Sequence, residues 1–240
     1  VALTDEAIAK IRSMIQRGEL PPGSRLPPEP QLAAQMGLSR SGVREAVKAL
    51  QLARVLVVRR GDGTYVTSLA PHLLLEGVGL AVELLQDDTL LEVMEVRRML
   101  EPVATGTAAL RMSDEDLDVL SRILDDMRDA ADDHEKLIRF DTAFHRTVIA
   151  ATGNETLTSL MDGLSSRTVR ARVWRGLIES NSAHHTIDEH HAIYLALRAR
   201  DQLLAQATAL IHVNTSESWL RAVLAERPAA AQRGQGRVSR

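Results

Sequence analysis

From residue 70 to residue 226, apolar side chains recur every three or four positions almost without a gap, a pattern that fits a bundle of helices and little else. The runs predict helices over 72–86, 89–112, 114–131, 134–151, 155–178, 182–199 and 202–225. The breaks between them, Asp87-Asp88, Ser113, Asp132-Asp133, Gly153-Asn154, Asn181-Ser182 and Asp201, carry residues that cap or stop helices. Helices joined this closely pack as antiparallel neighbours. No apolar run approaches the ~20 residues that span a bilayer. The opening VALTDEAIAK lacks the basic-then-apolar order of a secretion signal. The expectation is a cytoplasmic protein with no membrane segment. The chain has no cysteine, which excludes thiolate catalysis, thiolate zinc sites and disulfides.

Residues 1–69 follow different rules. Thr4 is placed to cap a first helix, with Ala7, Ile8, Ile11, Met14 and Ile15 at helical spacing and Gly18 to end it. Pro28 suits the first turn of a second helix, with Leu32, Ala33 and Met36 as its apolar side and Gly37 as its stop. Ser39 caps a third, in which Val43, Ala46, Val47 and Leu50 face one way and Arg40, Ser41, Arg44 and Lys48 the other. Two helices joined by Gly37-Leu38-Ser39, the second with a basic face, form a helix-turn-helix with a recognition helix. The N-terminal residues of such a helix enter the major groove, where Arg bonds guanine and Ser reaches bases or phosphate. Val55–Val58 and Thr64–Val66, around the turn Gly61-Asp62-Gly63, read as a hairpin wing, with Arg59 and Arg60 placed for phosphates.

Charge divides the same way. Residues 1–69 hold ten Lys/Arg against six Asp/Glu, residues 70–226 fifteen against twenty-six, and residues 227–240 four Arg and no acid. A basic head on an acidic body suits a nucleic-acid binder with a separate sensing part. The expected organisation is a winged-helix head over 1–69, a linker over 70–78, an all-helical antiparallel bundle over 79–226 and a disordered tail over 227–240, a mainly α protein with one small β-hairpin.

The stretch PPGSRLPPEPQLAAQMGLSRSGVREAVKALQ followed by RRGDGTYV closely resembles the winged-helix domain of GntR-type regulators across residues 5–68. The resemblance implies operator recognition through Arg25, Ser39, Arg40, Ser41, Arg44, Lys48, Arg59, Arg60 and Gly63. Three positions depart from the usual pattern. Pro30 replaces a DNA-contacting Arg, Gly42 stands where Thr is common, and Asp62 puts an acid in the wing tip.

In the body the histidines carry the chemistry. Asp141 and His145, four apart on one predicted helix, share a face beside Phe140, Phe144 and Val148. His190 lies among Ile187, Ile193 and Leu197, and His212 among Leu204, Ala205, Ala209 and Ile211. Spacing alone leaves two readings open: an ordinary helix hydrogen bond with core histidines, or one carboxylate and three imidazoles converging on a metal such as Zn, Ni, Mn or Fe. His72, His134, His184, His185 and His191 read as surface or loop residues.

EVRRMLEPVATGTAALR, FDTAFHRTVIAATGN and DEHHAIYLALRARD, with the later His212, resemble the FCD effector domain of the FadR subfamily of GntR regulators over about 78–224. That resemblance implies a divalent transition metal, Zn or Ni first and Mn or Fe next, on Asp141, His145, His190 and His212. It also implies that Arg97 faces an effector cavity, where a guanidinium pairs well with a carboxylate. The alternative for Arg97 is pairing with Glu101, and Arg170 and Arg172 are further effector candidates. The whole implies a homodimeric repressor that leaves a palindromic operator when a small organic acid binds. Direct metal sensing and metal-dependent hydrolysis are the rival readings; the sequence holds no general base, phosphate loop or nucleophile signature to support the second.

Overall fold

The computed structural model describes residues 2–84, 87–165 and 183–226. The predicted helical stretch beyond 165, the break at Asn181-Ser182, Arg170, Arg172 and the tail 227–240 lie outside the described residues. The described residues fall into two compact units, divided after Gly77.

The first unit holds α1 (Ala2–Gln16), α2 (Glu29–Met36), α3 (Arg40–Leu52), β1 (Leu56–Arg59), β2 (Gly63–Val66) and α4 (Pro71–Leu74), with α5 (Glu76–Glu83) crossing the division. Helix α1 opens before Thr4, which is already helical rather than a cap. Pro28 is the N-cap of α2, and Pro30 takes the first-turn position, where a missing N–H costs nothing. Gly37 ends α2 in the left-handed region at φ +67°, a conformation other side chains resist. Ser39 then caps α3, its Oγ accepting from the Gly42 amide at 3.2 Å. A Cβ on residue 42 would meet that same Oγ at 3.2 Å, with the Leu3 carbonyl of α1 at 3.7 Å. The glycine thus seats the start of α3 tightly on its cap. Ile11, Leu32, Val43, Val47, Leu50 and Leu56 close the small core.

The strands pair antiparallel from Leu56 with Val66 to Arg59 with Gly63. A preceding segment lies along β2, with the Gly23 amide donating to the Val66 carbonyl and the Leu26 amide to the Thr64 carbonyl. This lays Arg25 across the wing. The predicted helix 72–86 is two helices, because the chain leaves helical register at Leu75. The break falls where Glu76 meets Arg54 in a two-pronged ion pair of 2.5 and 2.9 Å.

The second unit contains α6 (Asp87–Ala109), α7 (Asp114–Asp129), α8 (His134–Ala150), α9 (Glu155–Leu164), α10 (Ala183–Arg198) and α11 (Gln202–Glu226). Its connections start as their residues dictate. Ser113 and Asp116 form a reciprocal capping box on α7. Asp133 caps α8 and Asn154 caps α9, the latter just after Gly153 turns left-handed at φ +70°. The Asp201 carboxylate accepts from the Leu204 amide at the start of α11. Helix α11 packs along α6, α10 sits against α7 and α11, and α8 touches α6, α7 and α9. Leu120, Leu124, Met127, Leu137, Phe144 and Leu197 fill the main core. No helix among the described residues is long and apolar enough to cross a membrane.

Candidate metal centre and DNA-facing surface

Helix α8 brings Asp141 and His145 to one inward face, α10 brings His190, and α11 brings His212; all four are buried. One donor atom from each lies within 4.8 Å of all the others. His190 Nε2 stands 3.1 Å from Asp141 Oδ1 and 3.1 Å from His145 Nε2, and His145 Nε2 stands 3.5 Å from Asp141 Oδ1. The His212 ring lies 4.3 Å from that of His190 and 5.1 Å from that of His145, centroid to centroid. Phe144 meets His145 and His190 edge to face and keeps water from that side.

The outer ring nitrogens fix the tautomers. His190 Nδ1 lies 2.7 Å from the Thr186 carbonyl, which only accepts, so Nδ1 carries the proton and donates it there. His212 Nδ1–H donates to Glu189 Oε2 at 3.1 Å, while the Thr215 hydroxyl donates to Glu189 Oε1 at 2.8 Å. His145 Nδ1 faces Glu101 Oε2 at 3.6 Å. Each imidazole is therefore backed by an acceptor on its outer nitrogen, the usual support for a ligating histidine. His190 turns a lone pair, not a proton, toward Asp141 and His145. Lone pairs meeting at 3.1 Å need positive charge between them: a proton carried by His145, or a cation.

The electrostatics agree. Burial, reinforced by His190, holds His212 below its ordinary value, against the pull of Glu189 and Asp141. Burial alone would raise Glu189, but its bonds from His212 and Thr215 bring it below the usual carboxylate range. Arg97 is buried, which works against its charge, yet Glu101 and Asp141 outweigh that and hold it firmly protonated. Its Nε donates to Glu101 Oε1 at 2.7 Å. Arg97, Glu101 and His145 thus stand in series. Beside His145 is a small hollow of about 20 Å³, lined also by Glu101, Thr142, Arg146, Ile149, Met161, Asp162 and Ser165. Arg97 does not line it.

In the first unit Arg40, Ser41, Arg44 and Lys48 are all exposed on one side of α3. Several of the basic groups are held by acids of the same unit: Arg44 by Glu29 at 3.1 Å and Lys48 by Glu45 at 2.9 Å. Arg25 donates to the Asp62 carbonyl and lies 3.7 Å from its carboxylate. The Tyr65 hydroxyl donates to Asp62 at 2.7 Å, and the Arg59 guanidinium sits 4.2 Å over the Tyr65 ring. A Cβ on residue 63 would lie 2.6 Å from Arg25 Nε, so any larger residue would displace the Arg25 side chain from this track. The wing-tip acid is the post to which Arg25 and Tyr65 are tied.

Residues 3–66 match the gntR family of bacterial regulatory proteins, and residues 92–215 match the FCD domain. The chain belongs to the GntR family and carries an FCD domain. This regulator is 31% identical to the HTH-type transcriptional regulator LutR of Bacillus subtilis, over 86% of this chain and 96% of that one. It is 29% identical to the galactonate operon transcriptional repressor of Escherichia coli, over 92% and 97%. Among solved structures, Streptococcus agalactiae GntR superposes with a TM-score of 0.65 at 27% identity, covering 90% of this chain and 99% of that one.

Sequence reading missed the regulator's outer ring of Glu189, Thr186 and Thr215, and saw Glu101 only as a partner for Arg97. One signal existed: Glu189 directly precedes His190, and a carboxylate beside a buried histidine needs a partner of its own. The reading also misjudged the surroundings of His212. Ala205 and Ala209 are buried, but Leu204 and Ile211 point outward. His191 turns away from the cluster and stacks on Tyr194.

Proposed function

We propose that this GntR-family regulator represses from a palindromic operator as a homodimer, and is released when a small organic acid binds beside a transition metal held by Asp141, His145, His190 and His212. The observation that carries the reading is the convergence of one carboxylate and three imidazoles from three helices within 4.8 Å. Metal–ligand bonds of about 2.0–2.2 Å put neighbouring donor atoms about 3.0–3.5 Å apart. The separations of 3.1 and 3.5 Å fall in that range. Zn and Ni suit this donor set best, with Mn and Fe next. When bound, the metal supplies a fixed positive charge and open positions for a carboxylate oxygen.

The chain's own residues do the rest. Thr186 and Glu189 hold His190 and His212 in the tautomers that present Nε2 inward. Glu101, anchored by Arg97, orients His145. The small hollow beside His145 marks the side from which an acid would approach, and Arg146 at its wall, 3.5 Å from Asp162, would have to exchange that partner for an entering carboxylate. In the head, Arg40, Ser41, Arg44 and Lys48 read the major groove while Arg25, Arg59, Arg60 and the Gly63 turn meet the backbone. Repression agrees with the Escherichia coli relative, whose operon is named for galactonate, itself a hydroxylated carboxylate.

Gel-shift titration of operator DNA tests the reading, using metal-loaded protein, chelated protein and Asp141→Ala against a panel of hydroxy acids. Release by one acid from loaded protein, lost with chelation and with Asp141→Ala, is expected. Release by metal alone would make the protein a direct metal sensor. Full metal content in Asp141→Ala would overturn the ligand assignment.

A further inference from the structure

We propose that Glu29, at the start of α2, sets the Arg44 guanidinium of α3 to read one guanine in each half-site, and so helps decide which DNA sequence the regulator prefers. The inference rests on the reading of α3 as the helix that enters the major groove, and it adds a residue of α2 to the recognition machinery.

Glu29 is the only charged side chain of α2, whose sequence is EPQLAAQM. It stands between Pro28 and Pro30, whose rings lock φ on either side of it, so its backbone has little freedom. Leu32, Ala33 and Met36 of α2 share a buried core with Val43, Ala46 and Val47 of α3, which fixes the separation of the two helices. Across that fixed gap Glu29 Oε2 accepts from Arg44 Nε at 3.1 Å. Fifteen positions separate the two residues, so the bond exists only because the helix-turn-helix folds. Lys48, by contrast, meets Glu45 within one turn of its own helix.

An exposed ion pair of this kind adds little to stability, and the Arg44 side chain stays 62% exposed. What the bond governs is where the guanidinium points and what it can bind. Arginine carries five N–H donors in a rigid planar fork. Glu29 takes Nε and leaves the edge formed by Nη1 and Nη2 for another partner. In the major groove only guanine presents two acceptors side by side, O6 and N7, and a two-pronged arginine matches them. The carboxylate also discourages the competing contact. A phosphate approaching Arg44 meets the negative charge of Glu29 beside it, whereas the edge of guanine carries no net charge. Attraction to phosphate is the sequence-independent part of binding. Shielding Arg44 from it turns a general cation into a base reader. Holding the side chain in place before DNA arrives removes part of the cost of ordering it.

The test is in vitro selection from a randomised DNA duplex pool by the full-length chain, wild type beside Glu29→Gln, Arg44→Gln and the double variant. Glu19→Gln, which strips an exposed acid from Arg17, controls for the change in net charge. Wild type is expected to enrich a half-site with one guanine favoured about 5–150-fold over other bases, the discrimination of a good two-pronged contact. Arg44→Gln should abolish that preference and leave those at other positions. Glu29→Gln should cut it about fivefold or more. Its affinity for a random-sequence duplex should hold or rise, with a salt slope steeper by about one phosphate contact. The double variant should match Arg44→Gln, and Glu19→Gln should match wild type. A guanine preference in Glu29→Gln equal to that of wild type would overturn the inference. So would an even loss of affinity for every sequence, random duplex included, because that is the signature of a merely structural Glu29. Arg44→Gln that weakens all sequences alike, with a shallower salt slope, would make Arg44 a backbone contact and overturn it too. A wild type that enriches no sequence sinks the operator reading and this inference with it, whereas enrichment without the Glu29 effect sinks this inference alone.

Discussion

Replacing Glu189 with Gln isolates what the outer ring contributes to the proposed metal centre. The carboxylate accepts from His212 Nδ1–H at 3.1 Å and from Thr215 at 2.8 Å. Glutamine keeps the shape but loses the charge, and its amide nitrogen offers hydrogens where His212 also offers one. The imidazole then loses the partner that fixes its tautomer and raises its basicity. Losses of this kind cost about 10–100-fold in metal affinity. At 1.36 kcal/mol per decade that is about 1.4–2.7 kcal/mol. Glu189 is nearly covered and His212 is fully enclosed, so solvent cannot make good the loss, and the upper half of the range is expected. Competition with a chromogenic chelator at fixed pH measures it directly. Thr215→Val, which removes one bond to the carboxylate and leaves its charge facing His212, should cost less. An affinity for Glu189→Gln within twofold of wild type, in a variant that keeps its helical spectrum, would refute the argument that the carboxylate tunes His212.

Three further outcomes are expected. Gly63→Ala should push Arg25 off its track across the wing and weaken operator binding, with the slope of log affinity against log salt shallower by about one phosphate contact; salt titration by fluorescence anisotropy reads this. Ser113→Ala opens the capping box of α7 and should cost about 1 kcal/mol in urea unfolding. Chelated protein should lose stability as pH falls below the ordinary histidine value of about 6.5. His212 is held below that value in the fold, so the unfolded chain takes up its proton first and the stability present at neutral pH drains away between the ordinary and the folded value. Urea midpoints at about pH 7.5 and 5.5 should differ in that direction, and less so in His212→Gln.

What the sequence could tell depended on how local each signal was. The helix-turn-helix was legible because Gly37, Ser39 and the alternation of Val43, Ala46 and Val47 with Arg44 and Lys48 act within a few residues of one another. Asp141 and His145 were legible for the same reason, at one helical turn. For His190 and His212 the spacing left a core and a ligand reading open and the family resemblance favoured the second, since no periodicity states which turn of α10 faces which turn of α11. The outer ring was harder still. Glu189 stands about 100° around α10 from His190 and reaches the site only because α11 brings His212 and Thr215 to meet it. Leu204 and Ile211 were assigned to the interior because apolar spacing counts such residues without knowing which face another surface covers. Departures from the family pattern turned out to be accommodated locally: Pro30 occupies a helix position that needs no amide hydrogen, and Asp62 anchors Arg25 and Tyr65.

Along α11, His212 turns inward to the cluster while its neighbour Ile211 turns outward. One peptide bond separates the clustered imidazole from an exposed apolar side chain. A displacement of the imidazole would therefore be carried to the outer face by the helix backbone, a stiff rod, rather than by a chain of side-chain rearrangements. Whatever alters the footing of that single rod alters both things at once.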